Sequence, residues 1–333
     1  MTGVQTCALP ISAVEAYAQV LARFFVGRSP GAVEAALHDV YTMGRYRTTR
    51  RFVSQVLGGI EMACWDAFGK ALGVPASSFL GGAVRDEVDN FGFIQGGSPG
   101  AHAEHASALV AEGFEVLFLK VGHPDPADDE RSVAAVREAV GAGPRLRVDP
   151  NEAWDVPTAI DQIRRLEPYG IDWVEQPTSA DDIPALARVR RAVRPKIAAD
   201  QAVYSTGELR QVLDLEAADA IVLGIHEAGG LWRMRQMAYL AQAHGIPVNR
   251  HANLESSITT FAGLQVAAAI PNLTAGNQVM HQLLDEQLTA GPALEFRSGR
   301  LRVPDRPGLG FELDADAVAR AHRRYRAQGP YPN

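Results

Sequence analysis

The sequence predicts an α/β chain organised around a (β/α) barrel, and three observations predict it. Short apolar runs of strand type, VLFLKVG, RLRVDPNEAW, DWVEQPT and KIAADQ, stand between Val116 and Gln201. Segments of helical periodicity separate them, such as DDERSVAAVREAVG and VPTAIDQIRRLEPYG, and that alternation argues for parallel strands joined by crossover helices. Each run also reaches a charged residue at its end: Lys120, Asp149, Glu175 and Asp200. Functional groups at the C-terminal ends of successive strands are how such a barrel builds an active site. Finally, 333 residues, 47% hydrophobic and 21% charged, suffice for one barrel and a smaller domain.

Taken in order, the chain opens with TGVQTCALPI at Thr2–Ile11. This stretch reads as the in-frame translation of a sequencing adapter, so residues 1–11 are set aside as one would a cloning scar. Residues 12–87 read as mostly helical, with no run of antiparallel strands. SAVEAYAQVLARFFVG has helical spacing, and SPGAVEAALHDVY offers Ser29 as N-cap with Pro30 at the first helical position. VSQVLGGIEMACWDAFGKALG is a third helix that Gly73 should stop. Barrel strands are expected at Val88–Gln95, Val116–Val121, Arg145–Asp149, Asp172–Gln176, Lys196–Asp200, Ala220–Gly224 and Ile246–His251. A weaker eighth falls at Thr274–Val279. Residues 88–290 thus form the barrel, and 291–333 a Pro- and Gly-rich segment that leaves it before a closing helix, DAVARAHRRYRA.

Composition excludes several classes. A net charge of −7 gives no basic footprint for nucleic acid. No apolar run reaches the roughly 18 residues of a membrane span, and the N-terminus lacks the basic region of a secretory signal. Cys7 and Cys64 are the only cysteines, so nothing asks for an oxidising compartment and a cytoplasmic protein is expected. No Gly-rich phosphate loop follows a strand, which argues against a nucleotide or flavin enzyme; PGLG at Pro307 reads as a turn.

The chemistry lies in the strand ends. Asp149, Glu175 and Asp200 stand about one βα unit apart, which places three carboxylates side by side at the barrel mouth. One such acid is adequately explained as a helix N-cap or an arginine partner. Three in register repel one another and call for a cation, and a site of few oxygen ligands suits Mg²⁺. Lys120 ends the preceding strand. Beside a metal its neutral amine is available as a base, the alternative being structural pairing with Asp149 or Glu175. His251 ends strand seven, nearly opposite strand two, where it can give or take a proton; a loop histidine bonded to backbone is the alternative. His226 and Glu227, just past strand six, read as loop or capping residues, and Asn151 as a residue that orients a ligand.

These residues resemble the enolase superfamily, in its mandelate racemase and muconate lactonizing enzyme branch, from about Gly58 to the C-terminus. The marks are LFLKVG for the Lys-x-Lys strand, DPN, EQP and AADQ for three ligand strands, AGG at Ala228–Gly230, RHANLE closing strand seven, and GIEMACWDAFGKALGVP for the capping-domain helix. The resemblance implies a modified (β/α) TIM-type barrel with an α+β capping domain, here N-terminally truncated. It implies Mg²⁺ on Asp149, Glu175 and Asp200, with Lys120 and His251 as catalytic residues. Asn151, Gln201 and Glu255 would stand behind the metal ligands or against substrate. It also implies a small-molecule carboxylate substrate that loses its α-proton, and a homo-oligomer. Enolisation in this superfamily pairs a Lys or His base with one or two Mg²⁺ ions.

The departures are specific. Phe118 replaces the first Lys of Lys-x-Lys, which would normally help hold the substrate carboxylate. Gly224 stands where the family often has Lys or Asp, and Glu227 is the acid available to substitute for that Asp. Gln278 falls near strand eight, where an acidic hydrogen-bond donor is often found. The expected activity is therefore a Mg²⁺-dependent racemase, epimerase or cycloisomerase. Dehydration of a sugar acid by the same Lys/His pair is the alternative chemistry, and a non-catalytic metal- and acid-binding barrel the alternative class.

Overall fold

The computed structural model describes residues 11–42 and 50–328; the tract at 1–10, with Cys7, lies outside them. Three helices come first: α1 (Ile11–Ala22), α2 (Val33–Thr42) and α3 (Arg50–Leu72). They pack through Leu21, Leu37, Val40, Val53 and Leu57, all buried, and through the edge-on rings of Tyr17 and Phe52. Gly73, at φ +72°, ends α3 as expected. The expected cap at Ser29 is corrected: α2 begins at Val33, and Ser29 and Pro30 form the turn before it, closed by Ala32 N–H donating to Ser29 O.

The expected first strand is also corrected. It divides into β1 (Glu87–Asp89) and β2 (Gly92–Phe93). β1 pairs antiparallel with β10 (Arg300–Arg302), and β2 pairs parallel with β3 (Val116–Lys120). Between them Asn90 is buried and donates to Val88 O, while its backbone N–H goes to Gly299 O. The chain changes sheets there because its hydrogen bonds change partners. An antiparallel ladder therefore opens at Glu87, where none was expected.

The other strands follow the expected positions closely: β4 (Arg145–Asp149), β5 (Ile171–Glu175), β6 (Lys196–Ala199), β7 (Ala220–Leu223) and β8 (Val248–Arg250). With β2 and β3 they form one parallel sheet in the order β2-β3-β4-β5-β6-β7-β8. The crossovers carry α4 (Pro99–Ala111), α5 (Pro126–Val140), α6 (Val156–Leu166), α7 (Ile183–Ala192), α8 (Thr206–Asp214), α9 (Ile225–Ala228) and α10 (Leu231–Ala243). Asp155, Asp182 and Ser205 cap α6, α7 and α8 through side-chain oxygens, each worth about 1 kcal/mol.

The eighth strand does not form as a regular element. Residues 272–278 nevertheless bridge the two sheet edges. Thr274 N–H donates to Val248 O and Gln278 N–H to Arg250 O on one side. Asn277 N–H donates to Asp89 O and Phe91 N–H to Asn277 O on the other. Gly276 breaks the run at φ +76°, and a Cβ there would stand 2.6 Å from Val116 Cγ1, so this residue must be glycine. Its carbonyl accepts from Arg147, whose buried guanidinium lies 3.3 Å from the Trp173 ring centroid and plugs the barrel floor.

α11 (Ser257–Ala268), buried along most of its length, stands between β8 and the closing residues 272–278; after the barrel come a small pair β9 (Thr289–Ala290) with β11 (Glu312–Leu313), and α12 (Ala315–Gln328). This segment returns to α3: Leu309 N–H donates to Asp66 Oδ1, and Lys70 pairs with Glu312. Among the described residues, no helix is long and apolar enough to cross a membrane.

Candidate active site

Strand alternation sorts the barrel interior into layers, because residues two apart share a face. Phe118, Trp173, Ala198 and Val222 belong to small interior clusters, whereas Leu117, Leu119, Val148, Val174, Ile197 and Ile221 lie in the core beneath the helices. One step further along each interior face come Lys120, Asp149, Glu175, Asp200, Gly224 and His251. The register pairs Lys120 directly with Asp149. Six consecutive strands therefore contribute one residue each to a ring at the C-terminal mouth.

The three predicted carboxylates are buried, at 1%, 1% and 3% exposure for Asp149, Glu175 and Asp200. Asp149 is gripped by Asn151, whose backbone N–H donates to Oδ1 at 2.7 Å and whose Nδ2 donates to Oδ2 at 3.0 Å. Lys120 Nζ donates to Asp149 Oδ2 and, at 2.6 Å, to Asn151 Oδ1. Asn151 and the next residue hold positive φ values of 45° and 65°, a strained turn that aims the amide back at the acid. Glu175 accepts from Gln278 Nε2 at 2.9 Å. Asp200 is set through its backbone: its N–H and that of Ala202 both donate to Gln176 Oε1.

His251 lies across the ring. Its Nδ1 stands 3.1 Å from Glu227 Oε1 and 3.5 Å from Asp200 Oδ1. The expectation that Glu227 is a loop or capping residue is corrected: its 4%-exposed carboxylate faces this imidazole. His226, from the same single turn, approaches Glu255 Oε2 at 3.4 Å, and Glu255 Oε1 is bonded to buried Arg250. Glu255 is therefore engaged behind the ring, not with the three acids. Gln201 follows Asp200 and holds a buried Oε1 without a partner.

The electrostatics follow from burial and like charge. Burial, then Asp149 and Asp200, push Glu175 well above the usual carboxylate range. Burial lifts Asp200 to about 7 despite the opposing pull of His251. Desolvation draws Lys120 down, but Asp149, Glu175 and Asp200 outweigh it and hold its pKa above the ordinary value. Desolvation likewise opposes the His251 imidazolium, but Asp200 and Glu227 lift it to about 10. Glu227 falls to about 2 because His251 outweighs its burial. Four acids thus face two side-chain cations, and burial with like charge keeps Glu175 and Asp200 from ionising as readily as free carboxyls.

Whether the acids fit a metal is tested by their oxygens. Glu175 Oε2 and Asp200 Oδ2 are buried with no hydrogen-bond partner, and a buried carboxylate oxygen left bare is costly. Oxygen donors of this kind suit a hard divalent cation. Among the described residues, no three His, Cys, Asp or Glu side chains are already drawn together as a metal cage. The ring shows why: Lys120 draws Asp149, and His251 stands beside Asp200.

Two features were not read from the sequence. Gln176, at φ +34°, fixes the Asp200 backbone; its position immediately after a ligand-type Glu was the available signal. Glu61, fully buried on α3, accepts from the N–H groups of Leu231 and Trp232 at 2.7 and 2.8 Å. It caps α10 from another layer of the fold and steadies the turn that carries Glu227. Phe118 lies beneath Lys120, buried and stacked on Phe91 at 4.5 Å between ring centroids, so its position holds packing in place of a second amine. A cleft of about 490 Å³ at the other ends of β5 and β6 is lined by Arg164, Glu167, Asp172, Arg194 and Lys196. Within it Lys196 pairs with Asp172, Glu167 accepts from the Arg194 backbone N–H, and Arg164 donates to Ala192 O.

Comparison with known proteins identifies the family. Residues 101–317 match the family model described as enolase C-terminal domain-like. A chloromuconate cycloisomerase of Cupriavidus pinatubonensis is 36% identical over 267 residues, 80% of this chain and 72% of the relative. A probable glucarate dehydratase of Streptomyces coelicolor is 30% identical over 86% of this chain and 70% of the relative. The crystal structure of an N-succinyl Arg/Lys racemase from Bacillus cereus superposes with a TM-score of 0.86, at 28% identity, over 93% of this chain and 82% of that one. Shared fold and shared sequence agree, and the chain belongs to the mandelate racemase and muconate lactonizing enzyme branch of the enolase superfamily.

Proposed function

We propose that this enzyme moves the proton α to the carboxylate of a small organic acid through an enediolate, as a racemase or epimerase that removes one proton and returns another, or as a cycloisomerase in which a single α-proton transfer accompanies making or breaking the β-carbon–oxygen bond. The observation that carries the reading is the ring itself: three buried carboxylates flanked by Lys120 on one side and His251 on the other. Asp149, Glu175 and Asp200 would hold Mg²⁺. The ion would supply the positive charge that a developing enediolate needs and relieve Lys120 of neutralising the acids.

The remaining work belongs to the chain. Asn151 fixes both Asp149 and the Lys120 amine, so the base approaches from a set direction. Lys120 Nζ takes the α-proton. His251, from the other side of the mouth, returns one to the opposite face or takes it in the reverse direction. The buried Phe118 adds no cation to the site, which favours an acid whose reacting carboxylate is held without a second lysine. Dehydration is the second reading, favoured by the likeness to a probable glucarate dehydratase: His251 would then protonate a departing β-hydroxyl. A homo-oligomer acting on a soluble acid completes the proposal.

The test is incubation in D₂O with Mg²⁺ and a panel of hydroxy acids, acylated amino acids, sugar acids and muconates, read by mass spectrometry. Deuterium uptake at unchanged heavy-atom composition supports isomerisation, and loss of water supports dehydration. Metal-dependent binding with no exchange from any panel member would oppose both and favour a binding protein.

A further inference from the structure

We infer that Glu227 is the positioning residue of His251, and that Gly224 is glycine because the Glu227 carboxylate fills the place where a strand-end side chain would begin. The inference rests on the proposed reading of His251 as an acid/base and adds the group that aims it.

The geometry is direct. Gly224 ends the interior face of β7 and belongs to the same ring as Asp200 and His251. Its backbone is extended, at φ −101° and ψ 147°, a conformation open to any residue, so backbone strain does not require glycine. Space does. A Cβ built there would lie 1.5 Å from Glu227 Oε2, 2.6 Å from Glu227 Cδ and 3.2 Å from His251 Nδ1. The ring slot is thus occupied by a carboxylate that enters from three residues downstream, through the single turn of α9.

That turn is clamped from outside. A Cβ on Gly58 of α3 would meet Ile225 O at 3.2 Å, and one on Gly230 would meet Glu61 Cδ at 2.4 Å. α3 therefore sits against both ends of α9, and Glu61 holds the N–H groups that follow it. At the carboxylate, Oε1 faces His251 Nδ1 at 3.1 Å and receives Asn253 Nδ2 at 3.4 Å; Oε2 is buried without a hydrogen bond. The nearest competitor for Nδ1 is Asp200 Oδ1, at 3.5 Å.

An ionised carboxylate only accepts hydrogen bonds. Facing Nδ1, it keeps hydrogen on that nitrogen and leaves Nε2 as the one that exchanges with substrate. Nε2 takes a proton from carbon at its face or delivers one to it, and the proton it carries is renewed from solvent between turnovers. Nδ1 keeps its hydrogen and Glu227 its charge throughout.

The experiment uses the full chain with Mg²⁺. In ¹H NMR in water, the Nδ1–H of His251 should give a downfield, slowly exchanging signal, assigned by its absence in His251→Asn. It should move upfield in the isosteric Glu227→Gln, where the acceptor is neutral, and vanish in Gly224→Ala, whose Cβ displaces the carboxylate. A second arm measures deuterium exchange at the two faces of whichever panel acid exchanges. Glu227→Gln should slow the face served by His251 by about 100-fold or more and leave the face served by Lys120 within about threefold. A wild type without the signal, a signal unmoved in Glu227→Gln, or equal slowing at both faces overturns the inference. If no acid exchanges, the enolisation reading fails while the NMR arm still decides the pairing.

Discussion

Glu61→Gln separates two forces that act on one buried carboxyl. Glu61 is fully buried and accepts from two backbone N–H groups at the start of α10, an arrangement that favours the anion through the cap and the helix dipole. Burial opposes the anion and wins: the Glu61 pKa is lifted from 4.5 to about 7, the backbone hydrogen bonds of Trp232 and Leu231 recovering only part of the shift. In the unfolded chain this carboxyl loses its proton near 4.5, so between 4.5 and 7 the native state binds more protons and stability falls as pH rises. At about 1.4 kcal/mol per tenfold, the full change is about 3 kcal/mol. Glutamine keeps the shape and cannot titrate. The stability of wild type relative to Glu61→Gln should therefore drop by about 3 kcal/mol from about pH 4 to about pH 9, with the steepest change between 4.5 and 7. Urea unfolding followed by circular dichroism, on both proteins in EDTA, reads this difference and cancels the titration of the carboxylate ring. A difference that stays flat across the range would overturn this and mean that Glu61 loses its proton at the same pH folded and unfolded.

Three further outcomes are expected. Mg²⁺ should raise the thermal midpoint of wild type but not of Asp149→Asn or Asp200→Asn. At free ion about 100-fold above the dissociation constant, one site contributes about 2.7 kcal/mol, and an equal rise in the variants would place the ion elsewhere. Gly276→Ala should destabilise by about 2 kcal/mol or more, since its Cβ would meet both Val116 and Arg147 at a positive φ; unchanged urea midpoints would show that residues 272–278 do not hold the barrel closed. Phe118→Ala should cost about 3–5 kcal/mol through loss of the stack on Phe91, and a loss below about 1 kcal/mol would mean that the ring is not part of the packed interior.

The ring was legible in the sequence to the extent that it keeps strand phase. Lys120, Asp149, Glu175 and Asp200 each end an apolar run, and alternation alone places them on one face. The parallel sheet was legible for the same reason. Phase also explains what was not legible. The barrel closes through Gly276 and the buried Asn277, where turn geometry and side-chain hydrogen bonds replace a hydrophobic pattern. β1 and β2 read as one strand because the switch at Asn90 leaves the apolar pattern almost unbroken. Glu227 lies three residues beyond Gly224 and reaches the ring through a helical turn; the resemblance marked it as the acid available there, but strand phase does not put it on the ring face. Glu61 sits in a helix far along the chain from the N–H groups it caps, and no local pattern links it to Leu231.

Metal-assisted enolisation at this ring is measured by α-proton exchange itself. Wild type and Lys120→Ala are compared in D₂O, each with Mg²⁺ and again with EDTA, using the panel acid that exchanges fastest. Uptake in wild type should stop with EDTA and fall by about 100-fold or more in Lys120→Ala. Uptake that persists in EDTA, or is unchanged without the Lys120 amine, would contradict metal-assisted enolisation at this ring.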